Sequence, residues 1–250
     1  MRLVISPAKK MNTDTDTFAP RALPVFVERA ETLRDALREL SPTALQALWK
    51  CNDAIAAQNV ERLRSMELRE HLTPAILAYE GIQYRYMAPA VFTHDALEYV
   101  QEHLRILSGF YGLLRPFDGV TPYRLEMQAK LAVGGHKDLY GYWGDAVAKA
   151  VFAETDCVVN LASKEYSLCL SHFVPAGARF ITCVFAQRVG DKLAEKGTLC
   201  KMARGDMVRF LAEQQAEAPE RMKDYEGLGY RFSAEESTEE TYVFIKASAG

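Results

Sequence analysis

The sequence has no long apolar run, no paired cysteines and no metal-ligand spacing, and each absence removes a class of protein. Only Leu3, Val4 and Ile5 are continuously apolar before Ser6 and Pro7 interrupt the N-terminal segment, too short for a secretory leader or a membrane span. A cytoplasmic protein without a membrane partner is expected. The five cysteines (Cys51, Cys157, Cys169, Cys183, Cys200) are odd in number and widely spaced with no C-x-x-C pair, which argues against a disulfide framework and a zinc knuckle. The five histidines (His71, His94, His103, His136, His172) show neither H-x-x-x-H nor H-E-x-x-H spacing, so no metal and no cofactor are expected. G-x-S-x-G, Walker and G-x-G-x-x-G signatures are also absent.

What remains is an ordinary globular composition. With 250 residues, 49% hydrophobic and 25% charged, the chain can bury a sizeable core. No Pro/Gly/Ser-rich linker, low-complexity tract or repeat divides it, so residues 1–250 read as one domain. The net charge of −3 argues against a simple basic nucleic-acid binder. Its distribution is uneven, however: His103 to Lys137 carries five Lys/Arg against two acids, whereas Glu213 to Glu240 carries nine acids against three bases. A basic region on such a molecule can attract a polyanion, although clusters of this size also arise on plain solvated surfaces.

Periodicity and capping signals predict mainly helices in the first half and strands in the second. Leu3 to Ser6 reads as a buried strand. Phe26, Ala30, Leu33, Leu37 and Leu40 recur on one helical face. Ser41-Pro42 and Thr73-Pro74 each place a capping hydroxyl before a proline suited to a helix start. Thr93 caps a further helix expected to run to Leu107, with Ala96, Val100, Leu104 and Leu107 inward and Gly109 ending it. Strands are expected at Cys157–Leu161, Phe180–Phe185, Tyr230–Phe232 and Tyr242–Ile245 from their β-branched and aromatic content, and a helix over Lys201–Gln214. This segregation favours an α+β fold over a doubly wound one.

The densest chemistry lies in SGFYGLLRPFDGVTPYRLEM, residues 108–127. A helix ending at Ser108 followed by Gly109 and Gly112 would make a tight turn whose amides lie open to an anion, like a helix-hairpin-helix. The spacing departs from that motif, because Phe110 and Tyr111 stand between the glycines and Pro116 forbids a long second helix; a C-cap that buries two aromatics is the competing reading. Arg115, Arg124 and Lys137 are candidate phosphate donors. Arg124 and Glu126 would share a face in extended chain and pair with each other. The Tyr84-Arg85, Tyr123-Arg124 and Tyr230-Arg231 pairs suit stacking on bases or finishing a core edge. Gly134-Gly135-His136-Lys137 reads as a hairpin turn before an anion loop, and Lys164, Glu165 and Tyr166 follow a strand end, where binding residues and ordinary helix caps both occur.

Six blocks in order, ISPAK (5–9), LRILSGFYGLLRPFDGVTPYRLEM (104–127), KDLYGYWGD (137–145), VVNLASKEY (158–166), KMARGDMVRF (201–210) and GYRF (229–232), resemble the signature blocks of the peroxide-stress YaaA family. The resemblance implies a cytoplasmic bacterial protein of the hydrogen peroxide response that lowers free iron and protects DNA. It further implies a single-domain α+β fold with a helix-hairpin-helix element and a positively charged cleft. Lys9, Arg105, Gly109, Gly112, Arg115, Arg124, Lys137, Lys164, Lys201 and Arg204 match family motif positions and are the implied nucleic-acid-binding set. Tyr79-Glu80-Gly81 and Lys201-Met202-Ala203-Arg204-Gly205 each lack a lysine that the family commonly carries, which weakens the expected basic cleft around Glu80.

Two functions follow from these readings. The first is a monomeric protein that grips the phosphate backbone of double-stranded or distorted DNA without sequence preference. The second is an enzyme acting on a small phosphorylated or nucleotide-like substrate, with Lys9, Arg124, Glu126 and Lys164 as anion clamp and acid/base pair. Lys9, Arg115, Arg124 and Lys164 are expected on one concave surface. A groove roughly 20 Å wide would favour DNA, and a pocket of about 300 to 1,000 Å³ a small ligand.

Overall fold

The computed structural model describes residues 1–247. Its centre is an eight-stranded mixed sheet built from β1 (Arg2–Ile5), β2 (Leu104–Ser108), β3 (Gly112–Leu114), β4 (Cys157–Leu161), β5 (Arg179–Val189), β6 (Lys192–Ala194), β7 (Tyr230–Phe232) and β8 (Thr241–Lys246). The strand order is β7-β8-β5-β4-β1-β2-β3, with β6 hairpinned onto β5. β1 pairs in parallel with both β2 and β4, setting Ile5 opposite Ile106 on one side and Leu161 on the other. The β4–β5 and β5–β8 pairs are also parallel, while the edge strands β3 and β7 are antiparallel.

Helices complete the fold: α1 (Val27–Arg38), α2 (Pro42–Trp49), α3 (Asp53–Arg64), α4 (Ile82–Met87), α5 (His94–His103), α6 (Leu139–Trp143), α7 (Ala146–Phe152), α8 (Lys164–Ser171) and α9 (Gly197–Glu213). Local chemistry sets several of their starts. The Ser41 Oγ accepts from the Ala44 amide with Pro42 at the first helical position, and Thr93 accepts from the Ala96 amide in the same way. α1 turns Val27, Ala30, Leu33 and Leu37 into the core; Ala30, Leu33 and Leu37 belong to the stripe that the spacing predicts, while Phe26 and Leu40 flank the helix and are partly buried.

The class is α+β as expected, but the strict division into a helical half and a strand half does not hold. β1, β2 and β3 arise in the first half, and β2 replaces the last turn of the helix expected to reach Leu107. The apolar residues Val100, Leu104 and Leu107 fit a helical period, yet Leu104–Ser108 is buried on both faces between β1 and β3, and a strand buried on both sides carries no alternation to distinguish it from a helix. Thr73-Pro74 likewise does not start a long helix. It pairs with Gly119–Val120, and only a single turn, Ala75–Ala78, follows.

The order of the central strands matters for function. From β1 the chain moves to β2 and β3 on one side, then crosses to β4 on the other side of β1 and continues outward to β5. The connections therefore diverge between β1 and β4. In open parallel sheets such a reversal leaves a crevice beyond the carboxyl ends of the strands, where ligands bind.

Candidate functional site

That crevice is present. A cavity of about 410 Å³ is walled by Ser6 to Lys10 after β1, Ser163, Glu165 and Tyr166 after β4, the extended run Tyr123 to Glu126, the start of α4, and Lys201 and Arg204 of α9. Short hydrogen bonds tie its walls together: the Ser163 amide donates to Ser6 Oγ at 2.8 Å, and the Tyr84 hydroxyl donates to the Ser6 carbonyl at 3.0 Å. α9 approaches α4 closely because residue 205 is glycine. A Cβ there would fall 2.0 Å from the Gln83 carbonyl oxygen, so no side chain fits without moving backbone. This contact holds Arg204 against the crevice.

The charges inside are mixed. Lys9, Lys10, Arg124, Lys201 and Arg204 face Glu80, Glu126 and Glu165. Lys10 is occupied, since it donates to Glu80 at 2.7 Å, so Glu80 neutralises one of the crevice cations. Glu126 Oε1 lies 3.3 Å from both Lys9 Nζ and Arg124 Nη2. These are charge contacts without hydrogen-bond geometry, and Glu126 Oε1 and Arg124 Nε, on side chains only 12% and 11% exposed, have no hydrogen-bond partner. Arg204 Nε is also buried and unpartnered, while its Nη2 stands 3.7 Å from Glu195. Among the described residues four buried side-chain N/O atoms lack a partner, and three of them belong to crevice residues. Buried polar atoms normally find partners, and the unpaired ones here are concentrated on residues that line the crevice.

The remaining groups shape the pocket. Burial pushes the Glu165 carboxyl up, and the neighbouring Glu126 carboxylate adds to it. Tyr123 is pushed up to about 12 by burial, and its hydroxyl lies 2.7 Å from Ser108 Oγ and 2.8 Å from the Tyr79 hydroxyl. It therefore stays a neutral phenol.

Of the ten residues expected to bind nucleic acid, the structure brings Lys9, Arg124, Lys201 and Arg204 into the crevice. The others lie elsewhere. Arg105 is 2% exposed, ion-paired with Glu154 and donating to the Leu104 carbonyl at 2.7 Å. Arg115 donates to the other Glu154 oxygen at 2.9 Å, and Arg2 joins the same carboxylate at 3.0 Å. Burial pushes Glu154 up, but hydrogen bonds from Arg115 and Arg2 and the Arg105 charge outweigh it and hold the carboxyl at about 2. These arginines are thus committed to a structural ion-pair network. Lys137 is exposed beside the turn formed by Gly134 and Gly135, both at positive φ. Lys164 is exposed on the first turn of α8 and does not line the cavity. The expectation that Lys9, Arg115, Arg124 and Lys164 share one concave surface is met by Lys9 and Arg124 alone.

The Gly109–Gly112 turn differs from the expected helix-hairpin-helix. It joins β2 to β3, and the Phe110 and Tyr111 amides donate to Ser108 Oγ at 3.1 and 2.9 Å. Phe110 and Tyr111 are fully buried, so the turn spends its amides internally and packs its aromatics, as the C-cap alternative anticipated for the side chains. Gly112 rests against the Trp143 ring. Sequence reasoning singled out Glu165 and Tyr166 at a strand end, and both line the cavity, but it missed Ser6 and Ser163 as wall residues. Their signal was available in the Ser-Pro and Ala-Ser-Lys-Glu segments that follow two apolar runs.

Fold and crevice together define an α+β protein with a ligand-sized pocket of mixed charge at the switch point of a mixed sheet. A family model described as "Peroxide stress protein YaaA" matches residues 1–236. A UPF0246 protein of Agathobacter rectalis is 50% identical over 249 residues, covering all of both chains. One of Desulfitobacterium hafniense is 48% identical over all of this chain and 99% of its own, and one of Lactiplantibacillus plantarum 46% identical over 98% and 99%. The chain belongs to the peroxide stress protein YaaA family. Among the described residues no helix is long and apolar enough to cross a membrane.

Proposed function

We propose that the protein serves the peroxide-stress response by binding a small phosphorylated, nucleotide-like ligand in the crevice between β1 and β4. One observation carries this reading: among the described residues, three of the four unpartnered buried polar atoms belong to residues that line a single cavity of about 410 Å³ at the sheet's switch point. That volume falls within the range of small-ligand sites, about 300 to 1,000 Å³, and two of the three atoms are guanidinium donors suited to phosphate oxygens. In the enzymatic form of this reading Glu126 and Glu165 are the acid/base pair, and Glu165 replaces Lys164 in that role.

A second reading is favoured by the exposed side chains of Lys9 and Lys201 at the rim. In it the same cations grip the backbone of double-stranded or distorted DNA, protecting it while free iron is lowered. Arg105 and Arg115 have no part in either reading. The test is titration of the full-length protein with adenosine 5′-monophosphate, inorganic phosphate and a labelled duplex, repeated with R204Q, R124Q and R115A. Saturable binding of the small probes that R204Q and R124Q weaken by about tenfold or more and R115A leaves unchanged supports the first reading. If neither small probe binds, and the duplex binds with a slope of log affinity against log salt of roughly −4 to −5, the DNA reading stands instead.

A further inference from the structure

The cations that line the crevice differ in where their counter-charges sit. Lys10 faces Glu80, and Lys9 and Arg124 face Glu126, so these pairs lie wholly inside the cavity wall. Arg204 is different. Its carboxylate is Glu195, which does not line the cavity and stands one residue beyond β6, at the base of the β5–β6 hairpin. Glu195 Oε2 lies 3.7 Å from Arg204 Nη2 and accepts from the Cys200 thiol at 3.7 Å, so one oxygen of the hairpin reaches two residues of α9. The Arg204 side chain is 15% exposed and that of Glu195 48%. A contact of this length, half in water, is weak enough to be exchanged for another anion.

Little else holds the hairpin. β6 adds only three residue pairs to the end of β5, from Lys192 opposite Val189 to Ala194 opposite Gln187, with Gly190 at positive φ in the turn. None of the residues from Arg188 to Thr198 is buried, and besides Glu195 the ion pair that ties the segment down is Arg188 to Glu236, at 2.8 Å. Segments with so few buried contacts open most readily. Resting on the small-ligand reading above, we infer that Glu195 is a competing counter-ion for Arg204, so that an anion entering the crevice releases the β5–β6 hairpin. Two anions brought onto one guanidinium repel each other, and the ligand gains what Glu195 loses. The coupling is reciprocal: whatever factor Glu195 costs the ligand in affinity, the ligand costs the hairpin in its hold on α9. The Glu126 pairs cannot act this way, because both partners belong to the wall itself.

The experiment measures affinities of the full-length protein for inorganic phosphate and adenosine 5′-monophosphate by isothermal titration, for wild type, E195Q, R204Q and the double variant. E217Q serves as the control for lost negative charge, since Glu217 lies past the opposite end of α9 beside His103, a helix roughly 25 Å long. E195Q should tighten both probes about threefold or more, the gain should shrink to within about 1.5-fold in the R204Q background, and E217Q should bind as wild type does. In wild type, saturating phosphate should speed hydrogen exchange at the Lys192, Leu193 and Ala194 amides. Unchanged or weaker binding by E195Q, or a gain that survives in R204Q, overturns this inference and leaves the small-ligand reading intact. If neither wild type nor E195Q binds either probe, both fall. Should E195Q not fold, the wild-type exchange decides: hairpin amides that phosphate leaves unaltered or slows overturn the inference.

Discussion

Gly109 is the most informative single position, because the sequence and the structure assign it opposite reasons for being glycine. As the opening of a phosphate-gripping turn, it would tolerate a side chain in stability terms and lose only binding. In the structure a Cβ at 109 would lie 2.5 Å from the Leu125 carbonyl oxygen and 2.9 Å from both the Glu126 carbonyl carbon and the Met127 nitrogen. Comfortable contact needs about 3.5 Å or more, so Gly109→Ala must push residues 125–127 away by roughly 1 Å. That segment cannot yield easily, since Leu125 and Met127 are buried and the Trp143 indole N–H donates to the Gly109 carbonyl at 3.0 Å. Overpacking of this kind costs about 1–3 kcal/mol, and a clash with backbone belongs at the upper end. At about 2–4 °C per kcal/mol for a chain of this size, Tm should fall by roughly 6–12 °C in a thermal scan followed by circular dichroism. Ligand affinity should fall with it, because Arg124 and Glu126 ride on the displaced segment. A Gly109→Ala protein that melts within about 1 °C of wild type would refute the packing argument, and lost binding at unchanged Tm would restore the open-turn reading.

Other perturbations test separate links. Gly205→Ala, whose Cβ would meet the Gln83 carbonyl oxygen at 2.0 Å, should separate α9 from α4 and weaken ligand binding more than Gly135→Ala, whose Cβ meets nothing within 4 Å, although Gly135 has positive φ; equal affinities would contradict the wall assignment. Glu154→Gln leaves Arg105 buried without its counter-charge and should cost about 3–5 kcal/mol in urea unfolding, with crevice affinity unchanged once the protein is folded. The folded pKa of Glu154 is depressed to about 2 from 4.5, so its contribution is complete above about pH 4.5 and should be lost as pH falls toward 2; an acid limb of the stability curve identical in E154Q would refute this. Asp118 shows the opposite sign. Burial raises it to about 6 from 3.8, so protonation between pH 6 and 4 should stabilise the native state, and Asp118→Asn should abolish that rise.

Much of the architecture was legible because local signals and tertiary burial agreed. Ser41-Pro42 started α2, Thr93 started α5, and Cys157–Leu161 formed β4 with the expected bounds. β2 was not legible, since Leu104 and Leu107 satisfy a helical period as well as a buried strand. The parallel centre of the sheet was likewise hidden: pairing of β1 with β2 joins residues about a hundred positions apart, and nothing local encodes it. For the site, Arg124 and Glu126 were read correctly as a same-face pair, and Lys9, Lys201 and Arg204 reached the crevice. The pairing of Arg105 and Arg115 with Glu154, a residue 49 and 39 positions further along the chain, was not legible, because charge alone does not reveal so distant a partner.

The most direct measurement of the central claim is a crystal structure of the protein with adenosine 5′-monophosphate. The account predicts density in the crevice between β1 and β4, with phosphate oxygens within hydrogen-bond distance of the Arg204 and Arg124 guanidinium groups. Density for the nucleotide outside the crevice, for instance against Arg115 or Lys137, with Arg204 Nε and Arg124 Nε still unpartnered, would contradict it.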